Sequence, residues 1–216
     1  EAVEKMRGAV NTPIKLTILR EGADKPIELS VTREIIPIRA VKSRVEGDVG
    51  YLRVISFTEK TYDDLEAAIE KIKKEVPADK LKGYVLDLRL NPGGLLDSAV
   101  LISDMFIDDG LIVSIRPRGR QETRFNGSAE GSLLDFPMVV LVNSGSASGS
   151  EIVSAALQDH HRAFVIGERS FGKGSVQNIK EFGEGEIKLT TATFWRPSGK
   201  NLNKSSTGGK DEDTWG

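Results

Sequence analysis

From Gly47 onward short apolar runs alternate with longer amphipathic ones, and that alternation constrains the fold of this chain more than any other feature. The apolar run in "GDVGYLRVISF" is followed by "YDDLEAAIEKIKKEV", whose apolar residues recur at helical spacing. Then come the buried-type strand "GYVLDLRL", the helix "LLDSAVLISDMFI", the strands "LIVSIRP" and "PMVVLVNS", the helix "SEIVSAALQDHH" and the strand "AFVIGE". Strands interleaved with helices predict an α/β core with a largely parallel sheet. Before it, "EAVEKMRG" has helical character, and "TPIKLTILREG" with "KPIELSVTRE" alternates apolar and polar residues across a turn, a β-hairpin pattern. Two regions are therefore expected, 1–37 and 38–216. The closing "NLNKSSTGGKDEDTWG" is polar and glycine-rich and predicts a loop or tail. Opening inside a helix and stopping in that tail, the sequence has the form of a fragment.

Composition excludes several chemistries. The chain has 216 residues, 29% of them charged, at a formal net charge of −2, so nothing favours nucleic acid or another polyanion. There is no cysteine, which removes thiol nucleophiles, thiolate metal sites and disulfides together. No stretch approaches the roughly 20 apolar residues that cross a bilayer.

Three junctions carry the candidate chemistry. "GERSFGKGS" comes within one residue of a phosphate loop: Gly167, Gly172 and Lys173 have the right spacing, but Gly174 occupies the position of the magnesium-binding hydroxyl. The residues after it favour strand over the helix a phosphate loop requires. Nucleotide binding is not expected, and Lys173 needs another role.

In "VNSGSASGSE" an apolar strand runs through small residues into a helix. Ser148-Gly149-Ser150-Glu151 fits a capping box, in which Ser148 does no more than satisfy the helix start. The same junction also exposes a serine oxygen beside free N–H groups, where a developing oxyanion is stabilised. Ser148 is thus a cap or a nucleophile. As a nucleophile it needs a base. His160 and His161, at the far end of the helix, lie roughly 17 Å away at 1.5 Å rise per residue; two adjacent histidines without a third ligand also make a poor metal site. Lysine remains, and Ser–Lys pairs are a known variant of the catalytic triad. A free lysine titrates near 10.4, so a base at neutral pH needs its charged form disfavoured by roughly 4 kcal/mol, which burial supplies. Lys173 stands beside Phe171 and two glycines, and Gln177 falls on its side of an extended chain, suited to orient the amine. The alternative is a solvated loop lysine.

The third junction, "DLRLNPGG", ends a strand in Asn91-Pro92-Gly93-Gly94. The glycines make a turn, or they bring backbone N–H groups up to a ligand at the C-terminal edge of a parallel sheet. In the second case Gly93 or Gly94 joins Gly149 in an oxyanion hole.

Together, "DLRLNPGG", "VNSGSASGSEIVSAALQD" and "VIGERSFGKGSVQ" resemble the carboxyl-terminal processing peptidases, tail-specific serine proteases of family S41 with a Ser–Lys dyad. The similarity covers most of residues 38 to 200. It implies a fold of the ClpP/crotonase type, with Ser148 as nucleophile, Lys173 as base, Gln177 beside it and Asp159 in a supporting position. The opening hairpin is similar to the C-terminal part of a PDZ domain, without the loop that captures a carboxylate. The resemblance further implies protein or peptide substrates with unstructured C-termini, no cofactor or metal, a bacterial periplasmic or envelope location, and leaves a homo-oligomer open. Gly149 departs from the alanine more usual in the family. Two other readings of the same residues are a catalytically silent peptide-binding module and an acyl-CoA enzyme of the crotonase type.

Overall fold

The computed structural model describes residues 2–35, 39–129, 133–183, 185–207 and 215–216. The chain divides into two compact units, Glu1–Ile38 and Arg39–Gly216.

The first unit holds α1 (Ala2–Met6) and a hairpin of β1 (Pro13–Ile18) and β2 (Ile27–Thr32), paired from Pro13 opposite Thr32 to Ile18 opposite Ile27. A two-stranded hairpin is marginal on its own. Arg33 ties the pieces together, its guanidinium donating to the carbonyl of Met6 at 2.9 Å and to Thr12 Oγ1 at 3.0 Å.

The second unit begins with the hairpin β3 (Val41–Glu46) and β4 (Val49–Val54), then α2 (Thr61–Glu75), β5 (Gly83–Asp87) and α3 (Leu96–Asp104). The antiparallel β6 (Gly110–Pro117) and β7 (Thr123–Gly127) follow, then β8 (Met138–Val142), α4 (Gly149–Asp159) and β9 (Phe164–Gly167). The long hairpin β10 (Ser175–Phe182) and β11 (Gly185–Trp195) and a single 3₁₀ turn at Lys204–Thr207 complete it. Five strands form the central sheet in the order β3-β4-β5-β8-β9, with β4, β5, β8 and β9 mutually parallel. The expected α/β core with parallel strands is therefore present. Its helices bury one face: Leu65, Ile69 and Ile72 of α2, Ile102 of α3 and Ile152 and Leu157 of α4 are at most 1% exposed, as are Leu52, Leu86 and Val140 of the strands.

"LIVSIRP" does not join that sheet. As β6 it lies in a second, antiparallel sheet of order β10-β11-β6-β7. Only residues 118–122 separate β6 from β7, enough for a hairpin and far too few for the crossover that a parallel neighbour needs. The polar ending is not a free tail either. Asn201 bridges both Trp195 and Trp215, and Leu202, Asn203 and Trp215 are buried; residues 208–214 of that stretch lie outside the described residues.

Candidate active site

Two strand-to-helix turns meet at the C-terminal ends of the neighbouring parallel strands β5 and β8. Each turn is stitched to the other by polar groups rather than by side-chain packing. Asn143 Oδ1 accepts the N–H of Leu90 at 2.9 Å, Ser146 Oγ donates to the carbonyl of Leu88 at 2.8 Å, and Ala147 N–H and Ser150 Oγ both donate to the carbonyl of Asn91 at 2.9 Å. Asn91, Ser146 and Ser150 are fully buried, so these bonds are shielded from competing water. The contact is so close that a Cβ on Gly93 would lie 2.7 Å from Ser148 Cβ and 2.9 Å from the nitrogen of Gly149. Only glycine fits there, at φ 98°.

Ser148 is half-buried at the start of α4 and has φ 56°, ψ −111°, a backbone conformation that side-chain-bearing residues rarely adopt. Such strain, of order 1–3 kcal/mol, is held in place by surrounding structure and clusters at functional sites. Gly149 is the first residue of α4, so its N–H has no acceptor within the helix. A Cβ on Gly149 would come within 2.9 Å of the Phe57 ring, so glycine fits this helix start without displacing that ring. Of the two candidate glycines in the other turn, Gly93 donates its N–H to Asn91 Oδ1 at 2.9 Å, whereas the N–H of Gly94 has no acceptor among the described residues.

Glu151 joins the third junction to the second. Its carboxylate is 2% exposed and receives four hydrogen bonds. Oε2 accepts the N–H of Ser148 and the N–H of Lys173, both at 2.8 Å, so the two nitrogens lie within twice that distance of each other. Oε1 accepts Ser170 Oγ at 2.7 Å and the N–H of Gly172 at 2.6 Å. Burial pushes this carboxyl above its ordinary value against the pull of those four donors. Phe171 N–H adds a bond to the carbonyl of Ser146 at 2.9 Å. The capping-box reading of Ser148 and Glu151 is thus half of the story: the glutamate reaches back to Ser148 N–H and also holds the lysine loop. Sequence reasoning named Glu151 only as a cap, because its partners 170–173 are distant in the chain.

The lysine itself departs from expectation. Lys173 is exposed, as is Phe171, and among the described residues no hydrogen bond or ion pair engages its ammonium. Burial by its own loop, expected from Phe171 and the glycines, is absent because the small residues 172 and 174 are what the loop packs inward. A Cβ on Gly172 would meet the Trp215 ring and Lys204, and one on Gly174 would collide with the backbone of Leu202 and Asn203. The glycine that breaks the phosphate-loop pattern is required by chain passing against it. Gln177 is also differently employed. Its NH₂ group donates to Thr190 Oγ1 at 2.7 Å and to Ser175 Oγ at 3.3 Å, across a register irregularity between Val176 and Gln177, and its amide oxygen accepts no bond from Lys173 among the described residues.

The supporting residues sit further out. Asp159 accepts Arg196 at 2.7 and 2.9 Å and the N–H of Ser198 at 2.9 Å; burial raises its carboxyl, but these partners outweigh it and hold it low. It fastens the end of β11 to α4. His160, at the end of α4, has Nε2 2.7 Å from the carbonyl of Leu111. At the end of β5, fully buried Asp87 accepts two side-chain hydrogen bonds from Arg89, a backbone bond from Arg89 N–H and one from Tyr51. Burial alone would raise Asp87, yet the bonds from Arg89 and Tyr51 prevail and bring it to about 2.

Comparison with known proteins decides the family. The model of peptidase family S41 matches residues 48–213. The chain belongs to peptidase family S41. This S41 chain is 57% identical over 204 residues to the carboxy-terminal-processing protease of Bartonella bacilliformis, covering 94% of the chain and 47% of that relative. It is 38% identical over 207 residues to the carboxy-terminal processing protease CtpA of Bacillus subtilis, covering 94% and 43%. Among solved structures, the photosystem II D1 C-terminal processing protease superposes with a TM-score of 0.68 at 29% identity, over 91% of this chain and 54% of that one. The S41 chain thus spans about half the length of the curated relatives it matches.

Proposed function

We propose that this chain is the catalytic core of a serine endopeptidase that cleaves proteins near their C-termini. The observation that carries the reading is the shared acceptor: one buried oxygen of Glu151 holds the backbone N–H of Ser148 and of Lys173, fastening a strained serine and a lysine loop together. Ser148 Oγ attacks the scissile carbonyl carbon as its proton passes to the neutral amine of Lys173. The carbonyl oxygen, now an oxyanion, is met by the N–H groups of Gly149 and Gly94. The C–N bond then breaks, the leaving amine takes the proton from Lys173, and the acyl-serine is hydrolysed by a water that Lys173 deprotonates in turn.

We leave Gln177 outside the catalytic set: its NH₂ group is bonded to Thr190 and Ser175, and its amide oxygen accepts no bond from Lys173 among the described residues. Asp159 supports the fold through Arg196. Lys173 is exposed, and Phe171 and Leu90, both largely exposed, give the bound substrate an apolar surface to cover. We take the hairpin unit as the C-terminal part of a PDZ domain. The substrates are proteins with unstructured C-terminal tails, and the location is the bacterial periplasm or envelope, in keeping with the bacterial relatives.

The test uses the full-length protein and an unstructured polypeptide, with products read by mass spectrometry. New C-termini near the chain end, lost in Ser148→Ala and in Lys173→Ala while both variants stay folded, are the expected result. Cleavage that persists in either variant overturns the assignment.

A further inference from the structure

Asn91 is buried completely and every polar group it owns is used. Its amide nitrogen donates to the carbonyl of Val54 at 2.9 Å, and its amide oxygen accepts the N–H of Gly93 at 2.9 Å. Its own carbonyl holds Ala147 N–H and Ser150 Oγ, on either side of Ser148, while its N–H donates to the carbonyl of Leu88 at 3.3 Å. A turn this short, Asn91-Pro92-Gly93, needs no such arrangement merely to reverse direction.

The consequence falls on the next peptide unit. Asn91 Oδ1 points the Gly93 N–H inward, so that N–H is not available to a ligand. The carbonyl of Gly93 accepts the N–H of Phe57 at 3.1 Å, and the following N–H of Leu95 donates to the carbonyl of Phe57 at 2.8 Å. A trans peptide plane carries its C=O and N–H on opposite sides. With the Gly93 carbonyl held by Phe57, the N–H of Gly94 is turned away from Phe57. The Cβ position of Gly93 faces Ser148 Cβ and the nitrogen of Gly149, so the 93–94 peptide is packed on the serine turn and its remaining N–H is the one left to act there with that of Gly149. The Asn91 amide at one end of this glycine and Phe57 at the other fix the plane between them; both glycines have positive φ, 98° and 153°, and would otherwise rotate with little resistance.

We infer that Asn91 is the positioning residue of the oxyanion hole: its side chain withdraws the N–H of Gly93 and so sets the peptide plane that presents the N–H of Gly94, with that of Gly149, to the tetrahedral intermediate. This rests on the serine peptidase reading above. Asn91 touches no reacting atom and acts through Gly93 and Gly94. Removing its side chain frees the 93–94 peptide to turn, and the loss falls on the transition state rather than on substrate binding.

The experiment compares the full-length protein with Asn91→Ala and Asn91→Asp on a quenched-fluorescent peptide with an apolar C-terminal end. For Asn91→Ala the expected result is a fall in kcat of about 10²–10³-fold, the usual cost of an oxyanion donor, with KM little changed. A peptide aldehyde, whose hemiacetal oxygen needs the hole, weakens in parallel, whereas the same peptide as an amide binds as before. Asn91→Asp keeps the acceptor for Gly93 and loses the donor to Val54, so it retains more kcat than Asn91→Ala. A second measurement needs no variant: in the protein labelled with ¹⁵N-glycine, the aldehyde adduct shifts the amides of Gly94 and Gly149 downfield and leaves Gly93 in place. It decides the matter if Asn91→Ala does not fold. Unchanged kcat in a folded Asn91→Ala, or a shift at Gly93 instead of Gly94, overturns the role of Asn91 while Ser148 still forms the adduct. Failure of Ser148 to form any adduct overturns the peptidase reading and this inference with it.

Discussion

The two halves of the site are built differently. Around Ser148 the turns 88–95 and 143–150 are locked by buried polar bonds, with Asn91, Ser146, Ser150 and Glu151 each at most 2% exposed. Around Lys173 the same loop is anchored by its backbone while its side chain and that of Phe171 stand in water. Beyond it, β10 and β11 project with Ile179 and Phe182 exposed. On the proposed reading, the candidate nucleophile and oxyanion donors are held in place before substrate arrives, whereas the lysine is tethered through its backbone alone and its side chain is left for what binds to cover.

Glu151 joins the two halves with four hydrogen bonds, against the one backbone bond from Phe171 N–H to the Ser146 carbonyl, so its removal should have the largest effect. Glu151→Ala leaves four N–H and O–H donors unsatisfied in a buried site, a loss of about 3 kcal/mol or more in stability by denaturant unfolding. Glu151→Gln keeps the volume but puts an NH₂ group where one oxygen accepts two donors, and kcat/KM should fall at least 10²-fold with a smaller loss of stability. If both variants cleave at the original rate, the two halves are not coupled through this residue.

A change at Gly174 strikes the lysine half alone. Gly174→Ala places a Cβ against the backbone of Leu202 and Asn203 and should displace the loop, costing about 1–3 kcal/mol and lowering kcat/KM about 10-fold or more. Hydrogen exchange should quicken at 170–174 and not at 146–150.

The serine half has its own acid sensitivity. Asp87 titrates at about 2 in the folded chain against about 4 unfolded, so its stabilisation is present above pH 4 and is lost as pH falls toward 2. The amount is about 2 kcal/mol, and Asp87→Asn should flatten the urea stability profile between pH 5 and 2 by that much. The smallest effect is expected at Gln177. With its amide bonded to Thr190, Gln177→Ala should alter kcat/KM by less than about threefold and leave the pH profile unmoved; a large alkaline displacement of that profile would return it to the orientation of Lys173.

How much of this was legible in the sequence follows the range of the interactions. The parallel core, α2, α3 and α4, and the juncture of "NPGG" with "SGSASGS" follow from local periodicity and from small residues at strand ends. Gly93, Gly149 and Ser148 announce themselves because close backbone approach excludes larger residues. What joins the pieces is not local. Glu151 looks like a helix cap until its bonds to residues 170–173 are seen, and Asn91 looks like a turn former until its carbonyl is found under Ala147 and Ser150. Leu202 and Trp215 sit in a polar stretch whose composition hides that both are buried against the lysine loop. The second sheet escaped for a related reason: β6 has a buried strand's composition, and only its partners β7 and β11 assign it to an antiparallel layer.

The most direct test of the Ser–Lys assignment is covalent labelling of the full-length protein with a fluorophosphonate probe between pH 7 and 10, with the modified residue located by mass spectrometry. Labelling at Ser148 that rises with pH and is lost in Lys173→Ala is the predicted result. No labelling across that range in a folded protein, or labelling of Ser148 at the same rate without Lys173, would contradict it.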